Sequence, residues 1–136
     1  MSKKVPVGAI IPVVAVCVAV MCVGYLWRAT DGPRDAARAY FEVLGAGDGD
    51  DACQRMTRSF QREMTSRWSA GECAGAVSAM LADLSGAERK ELGETGTSSV
   101  TVTGGNATVD VRGNPLGIVT VRLAELDGEW LVAGHQ

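Results

Sequence analysis

The chain has 136 residues, 46% of them apolar, and a formal net charge of −3, which leaves room for one ordinary domain beside an anchor and not for two. Beyond Arg28, ten Lys and Arg stand against sixteen Asp and Glu, a formal charge of −6. That balance excludes nucleic acid as a partner, because phosphates are bound by a basic face, and it disfavours adhesion of the domain itself to an anionic lipid surface.

From Val5 to Trp27 the side chains are apolar or uncharged for 23 residues, roughly 34 Å of helix, enough to cross a hydrocarbon core. Tyr25 and Trp27 suit the headgroup layer, and Arg28 closes the run. Pro6, Gly8, Pro12 and Gly24 are tolerated in a bilayer, which forces backbone groups to pair within the helix. The run is longer than a signal-peptide core and no small-x-small cleavage site precedes Arg28, so cleavage is not expected. Val16 before Cys17 and Met21 before Cys22 do not fit a lipidated cysteine. Residues 1–28 are therefore expected to form a cytoplasmic head and a transmembrane signal-anchor in contact with the lipid bilayer. A linker at 29–32 and an extracytoplasmic domain at 33–134 follow. The short basic head with Lys3 and Lys4 sets this orientation against Arg28, Arg34 and Arg38, giving a single-pass protein of the cell membrane.

Pro33 suits a first helical position, with Asp35 in the first turn. Ala37, Tyr40, Phe41 and Leu44 then keep the spacing of a buried stripe up to Gly45-Ala46-Gly47. Asp48 is placed to cap a second helix, whose apolar side carries Cys53, Met56, Phe60, Met64 and Trp68, with a break near Thr57 to Ser59. Ser69 with Glu72 and Ser85 with Glu88 match the capping-box pattern and announce two more helices. After Leu92 the period changes to alternation: Val100 and Val102; Val109 and Val111; Val119, Val121 and Leu123; Trp130 and Val132. Gly104-Gly105-Asn106, Asn114-Pro115-Leu116-Gly117 and Asp127-Gly128 separate these runs as tight connections. Helices first and strands second predict an α+β fold, with helices packed on a curved antiparallel sheet of four strands.

Cys53 and Cys73 lie 20 positions apart, each in a predicted helix, and suit a helix-to-helix disulfide in an oxidising compartment; the alternative is two buried free thiols. His135, the single histidine, stands one residue from the end of the sequence, where frayed chain is expected rather than catalysis or metal binding. No set of His, Cys and carboxylates has metal-ligand spacing, and Asp48-Gly49-Asp50-Asp51 caps a helix instead of opening a calcium loop. Gly93 to Ser98 lacks the lysine of a phosphate loop and precedes a strand, so it forms a turn. Arg55, Arg58, Arg62 and Arg67 recur at intervals of three to five opposite the apolar side of the second helix; they form either a solvated face or a partner-docking stripe. Neither a cofactor nor a catalytic centre is expected.

Taken in order, Ala36 to Leu44, Gly47-Asp48, Ala52-Cys53, Gly71-Glu72-Cys73 and Asp127-Gly128-Glu129-Trp130-Leu131-Val132 resemble small bacterial members of the nuclear transport factor 2-like superfamily, a cystatin-like α+β roll, over about residues 33 to 133. The resemblance implies a cone whose sheet and helices enclose a cavity, lined here by Tyr40, Phe41, Trp68, Val121 and Trp130. Catalytic members set an Asp with His or Tyr inside the cone, whereas Asp110 points to the outer face by its neighbours and His135 is terminal. The expected function is a non-enzymatic, membrane-anchored scaffold or protein-interaction domain of the bacterial envelope, contacting an envelope protein. The alternative is a binding module for a small apolar ligand in the cone.

Overall fold

A computed structural model describes residues 32–136; the apolar run at 5–27 lies outside them. Among the described residues no helix is long and apolar enough to cross a membrane. Five helices precede four strands: α1 (32–45), α2 (Gly49–Gln54), α3 (Arg58–Arg67), α4 (Cys73–Leu81), α5 (Gly86–Gly93), β1 (Thr97–Thr103), β2 (Asn106–Val111), β3 (Thr120–Leu126) and β4 (Glu129–His135). The sheet is an antiparallel meander in the order β1-β2-β3-β4, so the expected α+β architecture is present.

Each hairpin follows from its turn residues. Thr103 pairs with Asn106 around Gly104-Gly105, and Leu126 pairs with Glu129 around Asp127-Gly128. Asp127 and Gly128 both have positive φ, 52° and 79°, the geometry that matches a two-residue turn to the twist of its strands. The β2–β3 connection is held by Asn114, whose side chain donates to the carbonyls of Arg112 and Ile118 and accepts from the Ile118 N–H.

Register puts Ala107, Val109, Val121, Leu123 and Val132 on one face, where they are buried against Tyr40, Phe41, Leu44, Phe60, Met64, Val77 and Leu92. The opposite face carries Ser99, Thr101, Thr108, Asp110, Thr120 and Arg122. Asp110 accepts hydrogen bonds from the Ser99 and Thr120 hydroxyls, which ties three strands together on that polar side. Val119 departs from the alternation expected of it. It precedes β3 and is 64% exposed, because its backbone N–H and C=O pair with Gln136 and Val111 while its side chain leaves the core.

The helical layer departs from expectation in two places. The second predicted helix is two, α2 and α3, interrupted at Arg55–Thr57. There the chain leaves the helix to pair with β4: Thr57 N–H donates to the Val132 carbonyl at 2.9 Å and Val132 N–H to the Arg55 carbonyl at 2.7 Å. Gln61 compensates for the break, donating to the carbonyls of Cys53 and Met56, two acceptors that a continuous helix would have satisfied. Thr57 caps the new helix through the Phe60 N–H. The Ser69–Glu72 box does not form. Ser69 takes a left-handed conformation, φ 49°, just past the end of α3, and α4 starts at Cys73 with no side-chain cap. The Ser85–Glu88 box and the Asp48 cap do form.

Two glycines set the approach of α1 to α5. A Cβ on Gly45 would lie 2.5 Å from the Gly93 Cα and 2.7 Å from the Arg89 carbonyl, so the two helix ends touch backbone to backbone. Gly47, at φ 74°, then turns the chain.

Candidate functional site

Cys53 and Cys73 form a disulfide with their Cα atoms 6.1 Å apart. It joins α2 to the first residue of α4, with the Met56 sulfur 3.8 Å from the Cys73 sulfur. The break at Arg55–Thr57, the staple and the β4 edge are thus one connected structure.

The residues expected to line a cone separate into core and surface. Tyr40, Phe41 and Val121 are fully buried and fill the interior. Trp130 is half-buried at the hairpin end of β4, where its indole packs on Gly32 at the start of α1. Trp68 lies just past the last residue of α3 and is 40% exposed. Tyr40 reaches His135, with ring centroids 6.1 Å apart, so α1 runs along β4 from Trp130 to His135.

His135 is not frayed. It closes β4 opposite Val121, its ring meets Phe60 edge-on at 5.2 Å, and its Nε2 is buried without a hydrogen-bond partner among the described residues. Burial pushes the imidazole down to about 4, helped by the Arg67 charge and opposed by a hydrogen bond to its own backbone and by Glu63. The ring is neutral at ordinary pH. The Tyr40 hydroxyl is likewise buried without a partner, and burial holds its pKa well above the usual phenol range.

Beside His135 lies a hollow of about 280 Å³, walled by Trp68, Met80, Leu116 and Ile118, with Arg67, His135 and Gln136 as its polar residues. This is where α3, α4, the β2–β3 loop and the end of β4 meet. Sequence reasoning found Trp68 but missed His135, Met80, Leu116 and Ile118, which only the register of β4 and the turn at Asn114 bring together.

The four arginines do not form one stripe. Arg55 caps α2 and lies 3.3 Å from the Asp51 carboxylate. Arg58 and Arg62 share an open hollow with Gln61, Thr65 and Cys73. Arg67 bonds Glu63 at 2.8 Å at the far end of α3. Only Arg58 and Arg62 share a surface, beside the disulfide. Asp110 lies on the polar face of the sheet, away from His135 and Tyr40. Among the described residues no group of three or more His, Cys, Asp or Glu could hold a metal ion.

No protein-family model matches the chain, and neither a curated protein nor a solved structure matches it significantly.

Proposed function

We propose that this chain is a non-enzymatic interaction domain of the bacterial envelope, held to the cell membrane by its N-terminal apolar segment, with residues 33–134 outside the cytoplasm. It would be a small member of the nuclear transport factor 2-like superfamily. One observation carries this reading: Tyr40, Phe41 and Val121, the residues that would line an internal chamber, are packed in the core with no exposure, so recognition falls to the surface. The Cys53–Cys73 disulfide supports an oxidising location, and the order of helices then meander supports the superfamily. Asp110 lies apart from His135 and Tyr40, which weighs against acid–base chemistry inside the cone.

A second reading, a module for a small apolar ligand, is favoured by the hollow at Trp68, whose walls are largely the apolar side chains of Trp68, Met80, Leu116 and Ile118.

Two measurements on the full chain test the topology and separate the two readings. In wall-stripped cells, external protease is expected to digest the domain, and native mass spectrometry of the detergent-extracted protein is expected to give the mass of the polypeptide alone. A domain protected from protease would reverse the topology, and a retained small molecule lost in Trp68→Ala would favour the second reading.

A further inference from the structure

The two edges of the sheet are treated differently. The β4 edge is covered by the Arg55–Thr57 segment. Among the described residues only β2 pairs with β1, and the β1 sequence, Thr-Ser-Ser-Val-Thr-Val-Thr, contains no charge and no proline, the two devices that usually prevent a free edge from pairing. A bulge between Thr97 and Val100 disturbs its start, leaving Val100 to Thr103 as regular strand.

The direction of each backbone group on β1 follows from the register. Val111 N–H donates to the Val119 carbonyl and Arg112 N–H to the Gly96 carbonyl, so along β2 the odd positions bond β3 and the even positions bond β1. Thr108 and Asn106 therefore bond Thr101 and Thr103, their partners. Val100 and Val102 are left with N–H and C=O groups pointing away from β2. Their side chains share the inner face with Val109 and Ala107, yet Val102 is 37% exposed.

We infer that β1 is a homodimerisation edge, on which a second copy of this chain docks antiparallel about a twofold axis at Thr101. In that register Val100 and Val102 of one copy exchange both hydrogen bonds with Val102 and Val100 of the other. Thr101 faces Thr101 in a pair that is not hydrogen-bonded. The pairing is self-complementary, as a twofold contact must be: valine meets valine on the inner face, threonine meets threonine on the outer face, and no like charges oppose each other. A second copy is the occupant because the match is with the strand's own sequence, and neither strand brings a charge that the other would leave unpaired. Two four-stranded sheets become one of eight strands.

The test is disulfide trapping in the full chain with Cys17 and Cys22 replaced by alanine. Thr101→Cys places two thiols on Cα atoms about 4.5 Å apart, within disulfide reach. It is expected to give a covalent dimer on mild oxidation. Thr103→Cys, whose two copies stand four residues out of register, roughly 13 Å apart, is expected to remain monomeric. Adding Val102→Lys, an exposed substitution, to Thr101→Cys is expected to lower the dimer yield at least tenfold. Equal trapping at Thr101 and Thr103 would overturn the register. Absence of trapping at Thr101 while its thiol stays open to alkylation would overturn the dimer.

Discussion

The β4 side of the sheet and the β1 side contain the same kind of strand but differ in what surrounds them. Around β4 converge α1, the Arg55–Thr57 segment, the Cys53–Cys73 disulfide, Phe60 and His135. Around β1, among the described residues, only the hairpin partner β2 is in place, and most of the strand is exposed. Stability is therefore concentrated on one side of the molecule, and the capacity to associate on the other. Because the two sides depend on different interactions, substitutions should affect them separately.

The largest effect is expected from Phe60→Ala, which empties a site 1% exposed between α3 and His135. It should cost about 3 to 5 kcal/mol, read as a lower midpoint in denaturant titration, while leaving Thr101 trapping unchanged under folding conditions. Replacing Cys53 and Cys73 together by alanine reopens a loop of 20 residues and should cost about 3 kcal/mol. Reductant added to the unsubstituted protein should lower its midpoint to match the variant.

His135 makes the β4 side sensitive to acid. Its folded pKa of about 4 lies below the ordinary 6.5, so the unfolded chain takes up the proton first. The stabilisation of the neutral ring is complete above about pH 6.5 and is lost as pH falls toward 4, on the order of 3 kcal/mol over that window. His135→Phe should flatten the loss between pH 6.5 and 4 in a series of denaturant titrations. Gly45→Ala should cost about 1 to 3 kcal/mol, because the added methyl meets the Gly93 backbone. Gly105→Ala meets nothing within 4 Å and serves as its control. The smallest effect is expected at β1, where Val102→Ala should change the stability of the monomer, followed by thermal unfolding, by less than about 1 kcal/mol.

What was legible in the sequence was local. The Ser85–Glu88 box, the Asp48 cap and the two-residue turns each depend on groups within a few residues of one another, so their patterns carry over directly into structure. The alternation of valines gave the sheet for the same reason. The break at Arg55–Thr57 was misplaced by a few residues because its cause is distant: Val132 supplies the hydrogen bonds and Gln61 satisfies the exposed carbonyls. Ser69 matched a cap pattern, but the end of α3 had already claimed it for a left-handed turn. His135 and Trp68 exchanged roles, the expected frayed residue being packed and the expected cavity residue half in solvent. Position along the chain says nothing about pairing with Val121 or about where α3 stops. The arginine stripe failed through the same helix break, which put Arg55 on a separate element.

Most directly testable is the state of Cys53 and Cys73 in living cells, because the α2–α4 staple and the proposed location outside the cytoplasm both depend on it. Intact cells are treated with an alkylating reagent, with and without prior reductant, and the full chain is recovered for mass mapping. The expected result is that both thiols acquire label only after reduction. Free labelling of Cys53 and Cys73 without reductant would contradict the staple and the compartment together.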